Sequence, residues 1–208
     1  MAERDNGKER IEFSQHIFAF IGAEGAGKTV QAIRLAEVLN IPNIATSDLL
    51  RGVSNNNPGP LGDEVRDMFK KGTYLPGHLL LQILFDRVSQ EDTRNGFVLD
   101  GALRTLEEVW GFRPMLAKAG RDYHLTGIHL QAPLKILDDR MSIRRREDDT
   151  PEKIASRRKS YENNLLERHN AINSQEGWRI VEVDASPDGE ELVFNNVQNA
   201  LLQVFNSS

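Results

Sequence analysis

The chain has 208 residues, 39% of them hydrophobic and 27% charged, enough length and apolar content for one domain with a core of its own. Its 26 Lys plus Arg against 31 Asp plus Glu leave a formal charge of −5. That balance excludes the general positive field which draws proteins to nucleic acid or anionic lipid, so any anion must be held by a local cluster. There are no cysteines, which excludes disulfides, thiolate nucleophiles and Cys-ligated zinc.

The opening MAERDNGKERIEFSQ mixes acidic and basic residues without an apolar stretch, unlike a secretory signal. No run reaches the roughly 18 apolar residues of a spanning helix. A cytoplasmic protein with no membrane or nucleic-acid partner is expected. Residues 1–15 read as a flexible lead-in and 16–208 as a single domain.

The first apolar run, Ile17-Phe18-Ala19-Phe20-Ile21, ends in a Gly-rich turn at Gly22 and predicts a buried strand. Val30, Ile33, Ala36 and Val38 follow near helical spacing and predict a helix over 28–39. Further short apolar runs stand at 41–46, 96–100, 127–130 and 179–183, separated by longer helix-compatible segments. Between the first two of these, Asn55-Asn56-Asn57-Pro58-Gly59-Pro60, Gly72 and Pro76-Gly77 punctuate a helical excursion over about 47–80. Thr150-Pro151-Glu152 predicts a helix start, with Thr as cap and Pro in the first turn. This alternation predicts an α/β fold with a mainly parallel sheet, whose ligands bind beyond the carboxyl ends of strands one, three and four.

Gly22-Ala23-Glu24-Gly25-Ala26-Gly27-Lys28-Thr29 matches G-x-x-x-x-G-K-[ST] between a predicted strand and a predicted helix. Glycines let successive backbone N–H groups turn onto phosphate oxygens, and the positive end of the following helix adds to the attraction. Gly22, Gly25, Ala26, Gly27, Lys28 and Thr29, with Val30 beside them, are the candidate residues for a nucleotide's phosphates, the ATP-binding set if that nucleotide is the donor implied by the family resemblance below. Lys28 supplies a mobile cation, and the Thr29 hydroxyl is a candidate Mg²⁺ ligand. Glu24 is out of place, because a carboxylate near phosphate is repulsive unless it points to solvent. The five histidines show no mutual metal-ligand spacing along the chain.

Four further segments carry a likeness to a known family over about 16–205. Ile44-Ala45-Thr46-Ser47-Asp48-Leu49-Leu50-Arg51 resembles I-S-T-G-D-M-L-R, and Phe69-Lys70-Lys71-Gly72-Thr73-Tyr74-Leu75-Pro76 resembles the segment that closes the same subdomain. Gly96-Phe97-Val98-Leu99-Asp100-Gly101-Ala102-Leu103-Arg104-Thr105 resembles G-F-[LI]-L-D-G-F-P-R-T. Arg140, Arg144 and Arg146-Glu147-Asp148-Asp149, followed by Glu152 and Arg157, resemble lid arginines, an R-x-D-D motif and the arginine of the next helix. In block order and spacing the chain resembles the adenylate kinase and nucleoside monophosphate kinase family.

The resemblance implies a P-loop NTPase-type three-layer α/β fold with a five-stranded, mainly parallel sheet, a helical monophosphate-binding excursion and a truncated lid at about 141–149. It implies transfer of the ATP γ-phosphate to a nucleoside monophosphate, with ATP/ADP and the monophosphate as partners, Mg²⁺ as cofactor and a monomer as the expected state. Thr46, Arg51, Gly101, Arg104 and Glu108 would bind the acceptor. Lys28, Arg104, Arg140, Arg144, Arg146 and Arg157 would surround the phosphates and the transition state, and Asp100 would join Thr29 at Mg²⁺. Arginine suits this work because its fork grips phosphate bidentately and stays charged. Asp148, Asp149 and Glu152 would be lid and hinge partners.

The sequence departs from the family's pattern at several places. Ser47 stands for the Gly of T-G-D, Ala102-Leu103 for Phe-Pro, Thr29-Val30 for Gly-Thr, and Arg145 alone separates Arg144 from Arg146. Glu108 stands for a Gln that reads adenine. As an acceptor-only group it suits the donors of guanine or cytosine, which opens GMP and CMP beside AMP and predicts that Glu108→Gln shifts preference toward AMP. Two alternatives stay open: a nucleotide-binding protein derived from the family with impaired transfer, and a P-loop kinase with a non-nucleotide acceptor.

Overall fold

A computed structural model describes residues 15–143 and 150–206, together with the backbone of a two-residue antiparallel pair, β1 (Arg4–Asp5) and β2 (Lys8–Glu9). The main sheet has five parallel strands in the order β4 (Asn43–Ala45), β5 (Gly96–Asp100), β3 (His16–Gly22), β6 (His124–Gln131) and β7 (Trp178–Asp184). The P-loop NTPase-type α/β fold expected from the sequence is the one observed.

β3 occupies the centre because both of its faces are apolar. Ile17, Ala19 and Ile21 pack with Leu84, Phe112 and Ile172 on one side of the sheet. Phe18 and Phe20 alternate to the other side, among Leu35, Phe194 and Val197. Such two-sided burial is what a continuous apolar strand requires, and it builds three layers. α1 (Lys28–Leu39) and α9 (Glu190–Asn206) supply one outer layer. α4 (Gly77–Val88), α5 (Leu106–Lys118) and α8 (Leu165–Asn173) supply the other.

α2 (Thr46–Asn56) and α3 (Pro60–Lys71) form the excursion between β4 and α4, and Gly72 closes α3 in left-handed backbone at φ 66. α6 (Leu134–Ile143) and α7 (Pro151–Glu162) flank 144–149. Thr150 caps α7 by accepting from the Lys153 N–H, with Pro151 in the first turn, as the sequence predicts. Among the described residues, no helix is long and apolar enough to cross a membrane.

After β3 the chain builds β4 and β5 on one side, then crosses to β6 and β7 on the other. That reversal opens a crevice beyond the carboxyl end of β3, where open α/β sheets bind ligands.

Candidate active site

The loop after β3 turns on glycines that no other residue could replace without strain. Gly25 sits at φ +85, and a Cβ there would lie 2.6 Å from the Leu137 carbonyl oxygen. Gly27 caps α1 at φ 88, so the helix begins at Lys28 with its first N–H groups facing the loop. Lys28 Nζ donates to the carbonyls of Gly22 and Ala23, each at 2.8 Å, and so lies across the loop it serves. The Thr29 hydroxyl donates to Asp100 Oδ2 at 2.7 Å, which joins the start of α1 to the end of β5. A hydroxyl and a carboxylate so placed are hard oxygen donors of the kind Mg²⁺ takes.

β4 and β5 end side by side, with Ala45 in register with Asp100. Thr46, 2% exposed, donates to the carbonyl oxygens of Asp100 and Gly101 at 3.1 and 2.9 Å, and this pins the two strand ends together. Strand two therefore contributes to the site beside strands one and three, whereas strand four, also expected there from the sequence, lies in β6 and supplies none of the residues that line the cavity. Gly101 is in left-handed backbone at φ +85, where a Cβ would meet Arg104 Nη2 at 2.6 Å and Thr46 Oγ1 at 2.9 Å. The Arg104 guanidinium thus lies over Gly101, with its Cζ 5.1 Å from the centre of the Tyr74 ring. Arg51 is more exposed and pairs with Asp48 at 2.9 Å. Ser47 and Ala102 face the same cavity, and Leu103 is buried in left-handed backbone at φ 57.

Glu108 is placed differently from the sequence expectation. It does not line the cavity but is 1% exposed in the first turn of α5. Its Oε2 accepts from the Arg104 N–H at 2.9 Å and its Oε1 from the Thr105 hydroxyl at 3.3 Å, while Thr105 caps the Glu108 N–H in return. Thr105 thus makes one half of the capping box that T-x-x-E signals, while the carboxylate takes the N–H before the cap, that of Arg104, and these bonds hold it away from the cavity. Burial pushes the Glu108 carboxyl up, while the Arg104 N–H and charge pull it down.

On the opposite side, Arg140 reaches the cavity wall with Nη1 and Nη2 donating to the carbonyls of Ala185 and Pro187 at 2.8 and 2.9 Å. It ties α6 to the segment after β7, so its terminal nitrogens hold the wall rather than point freely at phosphate. Arg157 of α7 meets Glu24 of the glycine loop, Nε to Oε1 at 3.0 Å, with side chains only 14% and 17% exposed. The carboxylate that seemed misplaced therefore faces a cation and not solvent. Lys153 of the same helix donates to the Phe69 carbonyl at 3.2 Å, and Tyr74 donates to the Arg157 carbonyl at 3.3 Å. Glu152 is exposed in the first turn of α7. Arg144, Arg146, Asp148 and Asp149, expected in the lid, lie outside the described residues.

These groups surround one cavity of about 570 Å³, a size suited to substrates of the nucleotide class, since ligand sites span ~300–1,000 Å³. Gly22, Gly25, Ala26, Gly27, Lys28, Thr29 and Val30 line one part of it. Thr46, Arg51, Asp100, Gly101 and Arg104 line another, and Arg140 and Arg157 line it as well.

Sequence reasoning missed Arg168, which is 2% exposed on α8 and borders the cavity. It donates to the carbonyls of Leu103 and Tyr161 and lies 5.4 Å over the Tyr161 ring. Tyr161 in turn meets His129 Nε2 at 2.6 Å. Burial, His169, Arg168 and Lys28 lower His129 to about 4, and burial pushes Tyr161 up to about 12, so both stay neutral near pH 7. His129 and Glu182 are register partners on β6 and β7, and with His169 they bring ligand atoms within 4.8 Å of one another. Arg168 and Lys28 act on this group as positive charges, which opposes a cation there.

The adenylate kinase family model matches residues 20–170. The adenylate kinase of Lachnoclostridium phytofermentans is 30% identical over 218 aligned residues, which cover 88% of this chain and 97% of the relative. Those of Mycobacterium tuberculosis H37Rv and Trichodesmium erythraeum are 36% and 34% identical, over 68% of this chain in each case and 77% and 76% of their own. With a glycine loop on the central strand and arginines on both sides of one cavity, these matches show that the chain belongs to the adenylate kinase family of phosphotransferases.

Proposed function

We propose that the protein transfers the γ-phosphoryl group of ATP to AMP, the acceptor carried in the name of its relatives. The observation that supports this most is the convergence of the Lys28 loop, the Thr29–Asp100 pair and four arginines, Arg51, Arg104, Arg140 and Arg157, on one cavity. Bringing two nucleotides together crowds negative charge, and catalysis then consists of positioning plus electrostatic stabilisation.

In this reading the backbone N–H groups from Gly22 to Thr29 and the Lys28 ammonium hold the donor phosphates. Arg157 follows the transferred group, joined by Arg144 and Arg146 of the lid, while Arg140 fixes the donor wall. Arg104 and Arg51 grip the acceptor phosphate, with Thr46 and Gly101 shaping the floor beneath it. The region 47–80 is the monophosphate-binding subdomain and 141–149 a short lid within a single domain that acts as a monomer. The acceptor phosphate is already anionic, so no general base is needed.

The Thr29 hydroxyl and the Asp100 carboxylate would hold Mg²⁺, which when bound would neutralise charge on the donor phosphates. The two side chains hold each other, which fixes the start of α1 against the end of β5.

The test is a transfer assay with Mg·ATP against AMP, GMP, CMP, UMP and dTMP, in which ADP and each diphosphate are followed separately. Preferential conversion of AMP to ADP, with two ADP formed per ATP consumed, is expected. ADP release that is the same with and without any monophosphate would refute transfer and leave hydrolysis.

A further inference from the structure

One peptide bond beside the cavity is gripped from both sides by the buried side chains of Arg168 and Glu108. The Leu103 carbonyl accepts from Arg168 Nη1 at 3.1 Å, and the next N–H, that of Arg104, donates to Glu108 Oε2 at 2.9 Å. Arg168 and Glu108 are 2% and 1% exposed. Leu103 itself is 1% exposed at φ 57, a region L residues rarely adopt and one that persists only where the surroundings over-determine it. Proline, locked near −65°, cannot take this conformation, so the turn is held by side chains in place of a ring.

A capping role explains the bonds between Glu108 and Thr105 but not the one from the Arg104 N–H. Packing alone does not require a guanidinium at 168, where an apolar side chain would fill the space without the cost of burying charge. Arg168 also holds the Tyr161 carbonyl at the end of α7, the helix that carries Arg157. The residue therefore touches both the acceptor turn and the donor helix.

We propose that Arg168 and Glu108 are positioning residues: together they clamp the Leu103–Arg104 peptide and thereby aim the Arg104 guanidinium over Gly101 into the acceptor end of the cavity. This inference rests on the reading of the cavity as a monophosphate kinase site. The clamp makes the direction of Arg104 a property of the backbone, and Tyr74 beneath the guanidinium completes its setting.

The experiment measures acceptor KM, ATP KM and kcat with AMP for the wild-type protein, Arg168→Met, Arg168→Lys, Arg104→Ala and the double variant Arg168→Met/Arg104→Ala. Met keeps the bulk and removes every donor, whereas Lys keeps one charged donor for a carbonyl. The expected result is acceptor KM raised about tenfold in Arg168→Met and less in Arg168→Lys, with ATP KM within about twofold of wild type. The effect of Arg168→Met on acceptor KM disappears in the Arg104→Ala background, because it acts through that side chain.

Equal rises in both KM values, or a fold-change that persists without Arg104, would overturn the clamp, as would a fall in Tm with unchanged kinetics. If Arg168→Met does not fold, Arg168→Lys decides: a selective rise in acceptor KM supports the clamp, and wild-type kinetics overturn it. A wild-type protein without transfer activity would instead remove the kinase reading itself.

Discussion

Glu24→Gln tests whether the glycine loop restrains Arg157, the arginine that the proposed reading assigns to the transferred phosphoryl group. In the structure Glu24 Oε1 and Arg157 Nε are 3.0 Å apart, at 17% and 14% exposure, and Glu24 Oε2 is buried with no hydrogen-bond partner among the described residues. A charge-assisted bond of this kind contributes roughly 1.5–3 kcal/mol, about twice its neutral counterpart. Gln keeps the shape and one acceptor oxygen, so about 1 kcal/mol of the contact is lost. In a protein of this size that loss lowers Tm by about 2–4 °C. The carboxylate also competes with phosphate for Arg157 and repels it, so its neutralisation favours the nucleotide complex. A gain of about 1.4 kcal/mol in ATP binding corresponds to a tenfold lower Kd. Titration calorimetry with ATP and thermal melting of both proteins give the two numbers. A lower Tm with unchanged or weaker ATP affinity would show that Glu24 is an ordinary structural partner.

Lys28→Ala is expected to lower kcat/KM by about 10²–10³, as removal of one preorganised donor does; a near-wild-type value would take the loop lysine out of the mechanism. Arg104→Ala should raise acceptor KM by about 10–100-fold, the worth of a charged hydrogen bond, while ATP Kd stays within about twofold. Equal loss of both affinities contradicts its place at the acceptor end. Stability should fall with acid below pH 6.5. His16 and His129 are held at about 3 and about 4, in both cases chiefly by burial, so the unfolded chain binds more protons in this window. Their contribution is complete above pH 6.5 and is lost as pH falls toward 4 and then 3, at roughly 2 kcal/mol each between pH 6.5 and 4.5. Denaturant titrations at pH 7.0, 5.5 and 4.5 should show a shallower decline in His129→Gln; parallel declines would mean that His129 is not buried neutral.

The central strand and the cradle were legible because they depend on local pattern. Ile17 to Ile21 is apolar at every position, as a strand covered on both faces must be, and Gly22 to Thr29 carries its conformation in its own glycines. The roles of Glu24, Glu108 and Arg168 were not legible, for a different reason. Each depends on a partner brought near by topology: Arg157 for Glu24, the Leu103 carbonyl for Arg168. Glu108 had a local signal in Thr105-x-x-Glu108, the capping box, which competes with base recognition for the same carboxylate. Arg168, in Leu165-Leu166-Glu167-Arg168-His169, looks like a solvent-facing charge, and only the packing of α8 against β7 and α5 encloses it. The meeting of His129 and Glu182 is likewise a product of strand register, and that of His169 with them a product of α8 packing on β7, neither of spacing along the chain.

The placement of β3 at the centre of the sheet has a consequence for how the chain reaches this state. Its two hydrogen-bonding edges are filled by β5 and β6, in registers that pair His16 with Gly96 and His16 with His124. The most apolar strand is therefore made first and paired late, since during synthesis neither edge finds its neighbour until the chain has passed residues 96–131. Loop closure over such separations slows folding and prolongs the exposure of an unpaired, sticky strand. The bond from Thr29 to Asp100 spans the same separation as the β3–β5 pairing, so this part of the cavity forms only when that pairing does.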